Sequence, residues 1–184
     1  MRAPKNRNPV RILLLEDNLE HAALIQKTLQ ESIPGVLIKT VASLNMALQE
    51  LAKSKSRRSK TDYDLILTDY SLSNTSGTTL VKRIKKETPQ IPLIIITGRG
   101  DERIAAEVIK LGAEDYIVKS RESLKALGRI IQRTLLKKKA SNFPKAVSKS
   151  IVGRLLFEIE QLTPSQFSYF LKQLRGLQSW TRRL

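Results

Sequence analysis

Hydrophobic positions in this chain gather in five short β-rich runs: VRILLL from Val10, VLIKTV from Val36, DLILTD from Asp64, PLIIIT from Pro92 and DYIVK from Asp115. Between them, apolar residues recur at helical spacing over about 18–32, 43–56, 76–88 and 102–111, with a further helical stretch at 121–139. Period and length together predict five strands alternating with five helices. Leu65-Ile66-Leu67 and the run from Leu93 to Ile96 are apolar without alternation. Strands read this way when helices cover both faces of a parallel sheet. A doubly wound βα repeat is therefore expected, and such sheets place their ligand site outside the carboxyl ends of the strands.

The flanks read differently. MRAPKNRNP, residues 1–9, is polar with two prolines and predicts a loose arm. KSKSRRSK, from Lys53 to Lys60, has five basic residues, three serines and no apolar side chain, and predicts an exposed loop. After the fifth helix, KKKASNFPK at 137–145 reads as a basic linker broken by Pro144. Ile151, Val152, Leu155, Leu156 and Ile159 then recur at helical spacing, and Thr163-Pro164-Ser165-Gln166 offers an N-cap, a first-turn proline and a capping-box glutamine. The expected organisation is an arm at 1–9, a main domain at 10–139, a linker at 140–148 and a helical hairpin at 149–184. That hairpin has too little core to stand alone, so its apolar stripes must pack on the main domain, a second copy or a partner.

Composition adds a charge asymmetry. The formal net charge is +16, and residues 121–184 carry +11 of it. So concentrated a surplus suits nucleic acid, anionic lipid or an acidic protein face, although a solvated helix surface would carry it equally well. A hydrophobic share of 41% fits a globular chain. Without cysteine there are no disulfides or thiolate metal sites, and with His21 as the single histidine a zinc site is not expected. The interior of a cell fits this usage. No stretch approaches the roughly 18 apolar residues of a membrane span, so none is expected.

Inspecting the strand ends alone gives Glu16-Asp17 after the first strand, Asp69 closing the third, Thr97-Gly98 at the fourth and Lys119 after the fifth. Three carboxylates in one crevice repel one another, and a hard divalent ion with oxygen ligands offsets that repulsion. A magnesium site follows. A lysine ammonium and a small hydroxyl on the same rim suit phosphoryl transfer, which is catalysed mainly by positioning and charge neutralisation. Taken singly, an acidic pair after a strand also reads as a helix N-cap with its dipole partner. The convergence favours the chemical reading.

LLLEDN, LILTDYSLSNTSG, LIIITGRGDE and GAEDYIVK resemble, in order and in placement, the four signature stretches of response-regulator receiver domains, with Gly77 eight residues beyond Asp69. The likeness covers about residues 10–138. It implies a flavodoxin-like five-stranded parallel sheet of order 2-1-3-4-5, here with the helical hairpin added at the C-terminus. It further implies that Asp69 is the phosphoacceptor, that Asp17 ligates Mg2+ directly, and that Glu16 supports the ion or its waters. The backbone carbonyl of Ser71 would be a further ligand. Thr97 and Lys119 would each bond a phosphoryl oxygen, and Tyr116 would be the aromatic switch that turns inward when Thr97 is drawn to the phosphoryl group. Three departures stand out: Ser120 replaces the proline usual after the lysine, Ser73 replaces a common proline, and Arg99 puts a cation two residues beyond Thr97.

The function expected from this resemblance is that of a bacterial, cytoplasmic two-component response regulator. It would take a phosphoryl group from a sensor histidine kinase or phosphotransfer protein and switch an interaction surface, with a homodimer as a candidate output. It would act as a switch with self-catalysed transfer and autodephosphorylation, not as a conventional enzyme. The competing expectation is a basic nucleic-acid-binding regulator that uses the same fold mainly to dimerise. An aspartyl-phosphate hydrolase would need a second acid where Ser71 stands, and a dinucleotide enzyme would need G-x-G-x-x-G after the first strand. Neither is present.

Overall fold

The computed structural model describes residues 9–55, 63–72 and 75–141. Residues 1–8 of the N-terminal arm, most of the Lys53–Lys60 run, Ser73, residues 142–148 of the expected linker and the expected hairpin lie outside the described residues, while residues 140 and 141 continue the last helix. Among the described residues five strands and five helices alternate: β1 Arg11–Leu15, α1 Leu19–Ser32, β2 Leu37–Val41, α2 Leu44–Lys55, β3 Leu65–Asp69, α3 Gly77–Glu87, β4 Leu93–Thr97, α4 Glu102–Lys110, β5 Asp115–Val118 and α5 Arg121–Ser141. Lys53 to Lys55 close α2 instead of opening the loop that their charge suggested. All strand pairs are parallel, and the order is β2-β1-β3-β4-β5. The expected doubly wound sheet is thus the observed one.

Alternate residues of each inner strand feed opposite faces, as the pleat requires. Ile12, Leu14, Leu65, Leu67, Ile94 and Ile96 pack with Ile25 and Leu29 of α1 and Leu127 and Ile131 of α5. Leu13, Leu15, Ile66, Leu93 and Ile95 face Leu51, Leu80, Ile84 and Val108 of α2, α3 and α4. β1 after Arg11 and the whole of β3 and β4 are buried because both of their faces are covered, and their polar residues Thr68, Asp69 and Thr97 stand only at the carboxyl ends, whereas edge strand β2 buries only Val41.

Two backbone devices fix the strand ends that matter for the site. α4 is capped by Leu111, and Gly112 follows at φ +100, where Ala113 N–H bonds the Val108 carbonyl and Gly112 N–H that of Ile109. This is a Schellman cap, which needs a residue without Cβ at that left-handed position and turns the chain directly into β5. At the other end of β5, Lys119 N–H donates to the Thr97 carbonyl at 2.6 Å, locking the lysine's backbone beside the end of β4.

Gly128 lets α5 lie close on α1. A Cβ placed there would overlap the Ser32 side chain and stand 3.6 Å from Ser32 Cα. Substituting Gly128 by Val therefore forces the helices apart, at an expected cost of about 1–3 kcal/mol, typical of overpacking. Gly128→Ala loses less, because helix propensity returns up to about 1 kcal/mol. Urea unfolding of the two variants should give this rank, and equal stability of Gly128→Val and the parent would contradict the close packing.

Candidate functional site

β1 and β3 end side by side, so Glu16 and Asp69 emerge at the same rim of the sheet. Each is anchored by local backbone. Glu16 N–H donates to the Val41 carbonyl, and its Oε1 accepts the Asn18 N–H at 3.2 Å. Asp69 Oδ1 accepts the Ser71 N–H at 3.0 Å, while Tyr70 N–H is tied to the Ile96 carbonyl of β4. Both carboxylates are buried.

Lys119 joins them. Its Nζ donates to Glu16 Oε2 and to Asp69 Oδ2, each at 2.7 Å. The side chains are 11% exposed for Lys119, 0% for Glu16 and 9% for Asp69, so these are buried ion pairs and not surface ones. Burial by itself lowers the lysine pKa, but the hydrogen bonds and charges of Asp69 and Glu16 outweigh it and hold the ammonium above its usual range. The net effect keeps Lys119 charged where two carboxylates meet.

Thr97 closes β4 and is buried. Its hydroxyl donates to the Arg99 carbonyl at 3.1 Å and accepts the Arg99 N–H at 3.3 Å. The same Arg99 carbonyl accepts the Tyr116 hydroxyl at 3.1 Å. Thr97 and Tyr116 thus grip one backbone carbonyl in the β4–α4 loop, a link between a strand-end hydroxyl and an aromatic ring that the sequence did not display. The departure at Arg99 enters this link through its main chain. Tyr70, next to the acceptor, lies close to Tyr116; burial first, then the charges of Glu107, Tyr116 and Asp101, push its phenol above the usual range.

The Ser120 departure has a structural answer. No peptide bond is cis among the described residues. Ser120 N–H, which a proline would lack, donates to the Val118 carbonyl at 2.8 Å and tightens the turn that carries Lys119. The Ser120 hydroxyl accepts the Ser123 N–H at 3.1 Å, capping the start of α5.

Of the residues expected at the site, Glu16, Asp69 and Lys119 come into direct contact. Asp17, the next residue along from Glu16, is half-buried. Ser71 meets Asp69 through its N–H. His21 is the residue that sequence reasoning passed over. Asn18 caps α1 and accepts the His21 N–H at 3.0 Å, which sets His21 in the first helical turn above the pocket. Its Nδ1 is 3.4 Å from Lys119 Nζ and 3.7 Å from Glu16 Oε1. The visible signal was its position four residues after Asp17 at a helix start, where a side chain can lean back over the strand ends.

Comparison with known proteins agrees with this geometry. Residues 12–131 match the family model described as the response regulator receiver domain. The methanogenesis regulatory protein FilR1 of Methanothrix harundinacea is 35% identical over 127 residues, covering 68% of this chain and 27% of that protein. The transcriptional regulatory protein ZraR of Escherichia coli O157:H7 is 29% identical over 164 residues, covering 84% of this chain and 35% of its own length. The chain therefore spans about a third of these curated relatives. Among solved structures, a response regulator receiver domain protein from Clostridium thermocellum superposes with a TM-score of 0.61 at 27% identity, covering 71% of this chain and 97% of that one. No helix among the described residues is long and apolar enough to cross a membrane. With its fold, its strand-end acids and lysine, and a family match over most of its length, this chain belongs to the response regulator receiver family.

Proposed function

We propose that Asp69 accepts a phosphoryl group from a sensor histidine kinase or phosphotransfer protein, and that a divalent ion, Mg2+ in the first instance, assists. The observation that carries this reading is the buried triad: Asp69 and Glu16 converge on one cation, the Lys119 ammonium, at 2.7 Å each. Glu16, Asp69, the half-buried Asp17 and the Ser71 carbonyl form an all-oxygen donor set that suits a hard divalent ion. When bound, such an ion neutralises the carboxylates and the charge that develops on the phosphoryl oxygens.

One carboxylate oxygen of Asp69 attacks phosphorus, forming an acyl phosphate as the bond from phosphorus to the donor's leaving atom breaks. The leaving group departs with the bonding pair and takes up a proton. Ser71 N–H orients the Asp69 carboxylate, and the Lys119 ammonium passes from carboxylate to phosphoryl oxygen, so the neutralising charge is already in place. The Thr97 hydroxyl, turned toward the phosphoryl group, gives up the Arg99 carbonyl. Its loss shifts the β4–α4 loop that Tyr116 also holds, which carries the change to the surface around β5. The phosphorylated state would end by hydrolysis at the same site.

Incubation with a small phosphodonor tests the reading. The expected product carries one phosphoryl group, needs a divalent ion, survives acid and is lost in base. Asp69→Asn should take up none, and label persisting in that variant would remove Asp69 as the acceptor. The nucleic-acid alternative rests on the basic surplus of residues 121–184, of which 142–184 lie outside the described residues, and no geometry in the described domain favours it.

A further inference from the structure

The pocket contains one side chain with a lone pair that the proposed transfer does not use. His21 leans over it from α1, with its side chain 52% exposed and its Nδ1 turned toward Glu16 and Lys119. One donor atom each from Glu16, His21 and Asp69 lie within 4.8 Å of one another, a spread that the ligands of a single ion can occupy. A second observation comes from Lys119. Its ammonium is already a cation in this nest, 2.7 Å from a Glu16 oxygen, 2.7 Å from an Asp69 oxygen and 3.4 Å from the imidazole nitrogen. The three groups therefore surround a positive centre.

We infer that His21 is a direct ligand of the divalent ion in this pocket, beside Glu16 and Asp69, and that it tilts the site from Mg2+ toward first-row ions that accept nitrogen. This inference rests on the proposed metal-assisted phosphoacceptor. Carboxylates and carbonyls alone suit Mg2+, Ca2+ and Mn2+, whereas one imidazole favours ions such as Co2+ and Ni2+. Asn18 fixes the backbone of His21, and exposure leaves its ring room to adjust, so the ligand is held by the helix cap and not by packing. The sequence reading gave His21 no role because zinc sites built from side chains usually need more than one nitrogen or sulfur ligand. A site assembled mainly from oxygens needs only one.

The test uses the untagged full chain, in which His21 is the single histidine. Calorimetric titration with Mg2+, Co2+ and Ni2+ gives the selectivity of the parent and of His21→Ala. Any oxygen site favours Ni2+ over Mg2+ to some degree, so the informative quantity is the change in that ratio. Removing a ligand should shrink it by at least about tenfold, since even partners outside the first ring of ligands alter metal affinity by about 10- to 100-fold. Independently of any variant, nitrogen-15 NMR of the imidazole with diamagnetic Zn2+ should show the Nδ1 resonance moving on binding while Nε2 remains protonated. An ion that binds without moving Nδ1, with the same ratio in His21→Ala, overturns the role of His21 and leaves the phosphoacceptor reading standing. If no divalent ion binds at all, the metal-assisted reading falls with it.

Discussion

Replacing Lys119 by Met should lower stability in metal-free buffer by about 2–4 kcal/mol, and added Mg2+ should restore more of it than the same Mg2+ adds to the parent. Methionine keeps the length of the side chain and removes the charge. Glu16, with a fully buried side chain, would then face Asp69 with no cation between them. Breaking a buried pair from one side costs about 3–5 kcal/mol because a charge is left uncompensated. The lower end is expected here since three groups share the site and His21 leaves one side open to water. A divalent ion takes over the missing charge, so its binding to the folded state stabilises the variant by linkage. In the parent the ion must share the carboxylates with an ammonium already seated there. Phosphoryl uptake should nevertheless fall, because the ion does not supply the donor that Lys119 offers to the phosphoryl oxygen. Thermal unfolding with and without chelator measures the first effect. Equal stability of Lys119→Met and the parent in chelator would show that the ammonium is not what holds the two carboxylates together.

That prediction depends on a convergence which is legible in the sequence. Asp69 and Thr97 close strands of a parallel sheet, Glu16 and Lys119 follow them, and the fold brings the strand ends to one rim. The elements themselves were readable because β3 and β4 are apolar on both faces, so their runs stand out without alternation. What stayed hidden depends on direction instead of position. His21 lies on a helix, and only the Asn18 cap decides that it leans over the pocket. The shared Arg99 carbonyl joins Thr97 to Tyr116 through main-chain geometry, which residue identity does not encode. Ser120 looked like a loss beside the usual proline, yet its N–H and hydroxyl both find partners. A departure from a motif removes one physical device and can install another.

Gly77 illustrates the same point and supports the other large effect. In the sequence it was a marker at a fixed distance from Asp69; in the structure its missing side chain is what admits the ring of Tyr70. A Cβ at Gly77 would overlap that ring. Ser76 caps α3 just before it, and the backbone of Gly77 is not left-handed, so conformation alone does not demand glycine. On helix propensity, Gly77→Ala should stabilise by up to about 1 kcal/mol. The overlap reverses the sign. Tyr70 packs on the core cluster beneath α3 and α4, and displacing it should cost about 1–3 kcal/mol net. Phosphoryl uptake should slow as well, because Tyr70 links Asp69 to Ser71, whose N–H orients the acceptor carboxylate. A double-mutant cycle isolates the cause. In a Tyr70→Ala background the same Gly77→Ala substitution should become neutral or stabilising. Should it destabilise both backgrounds equally, the requirement for glycine lies in the helix start and not in the ring of Tyr70.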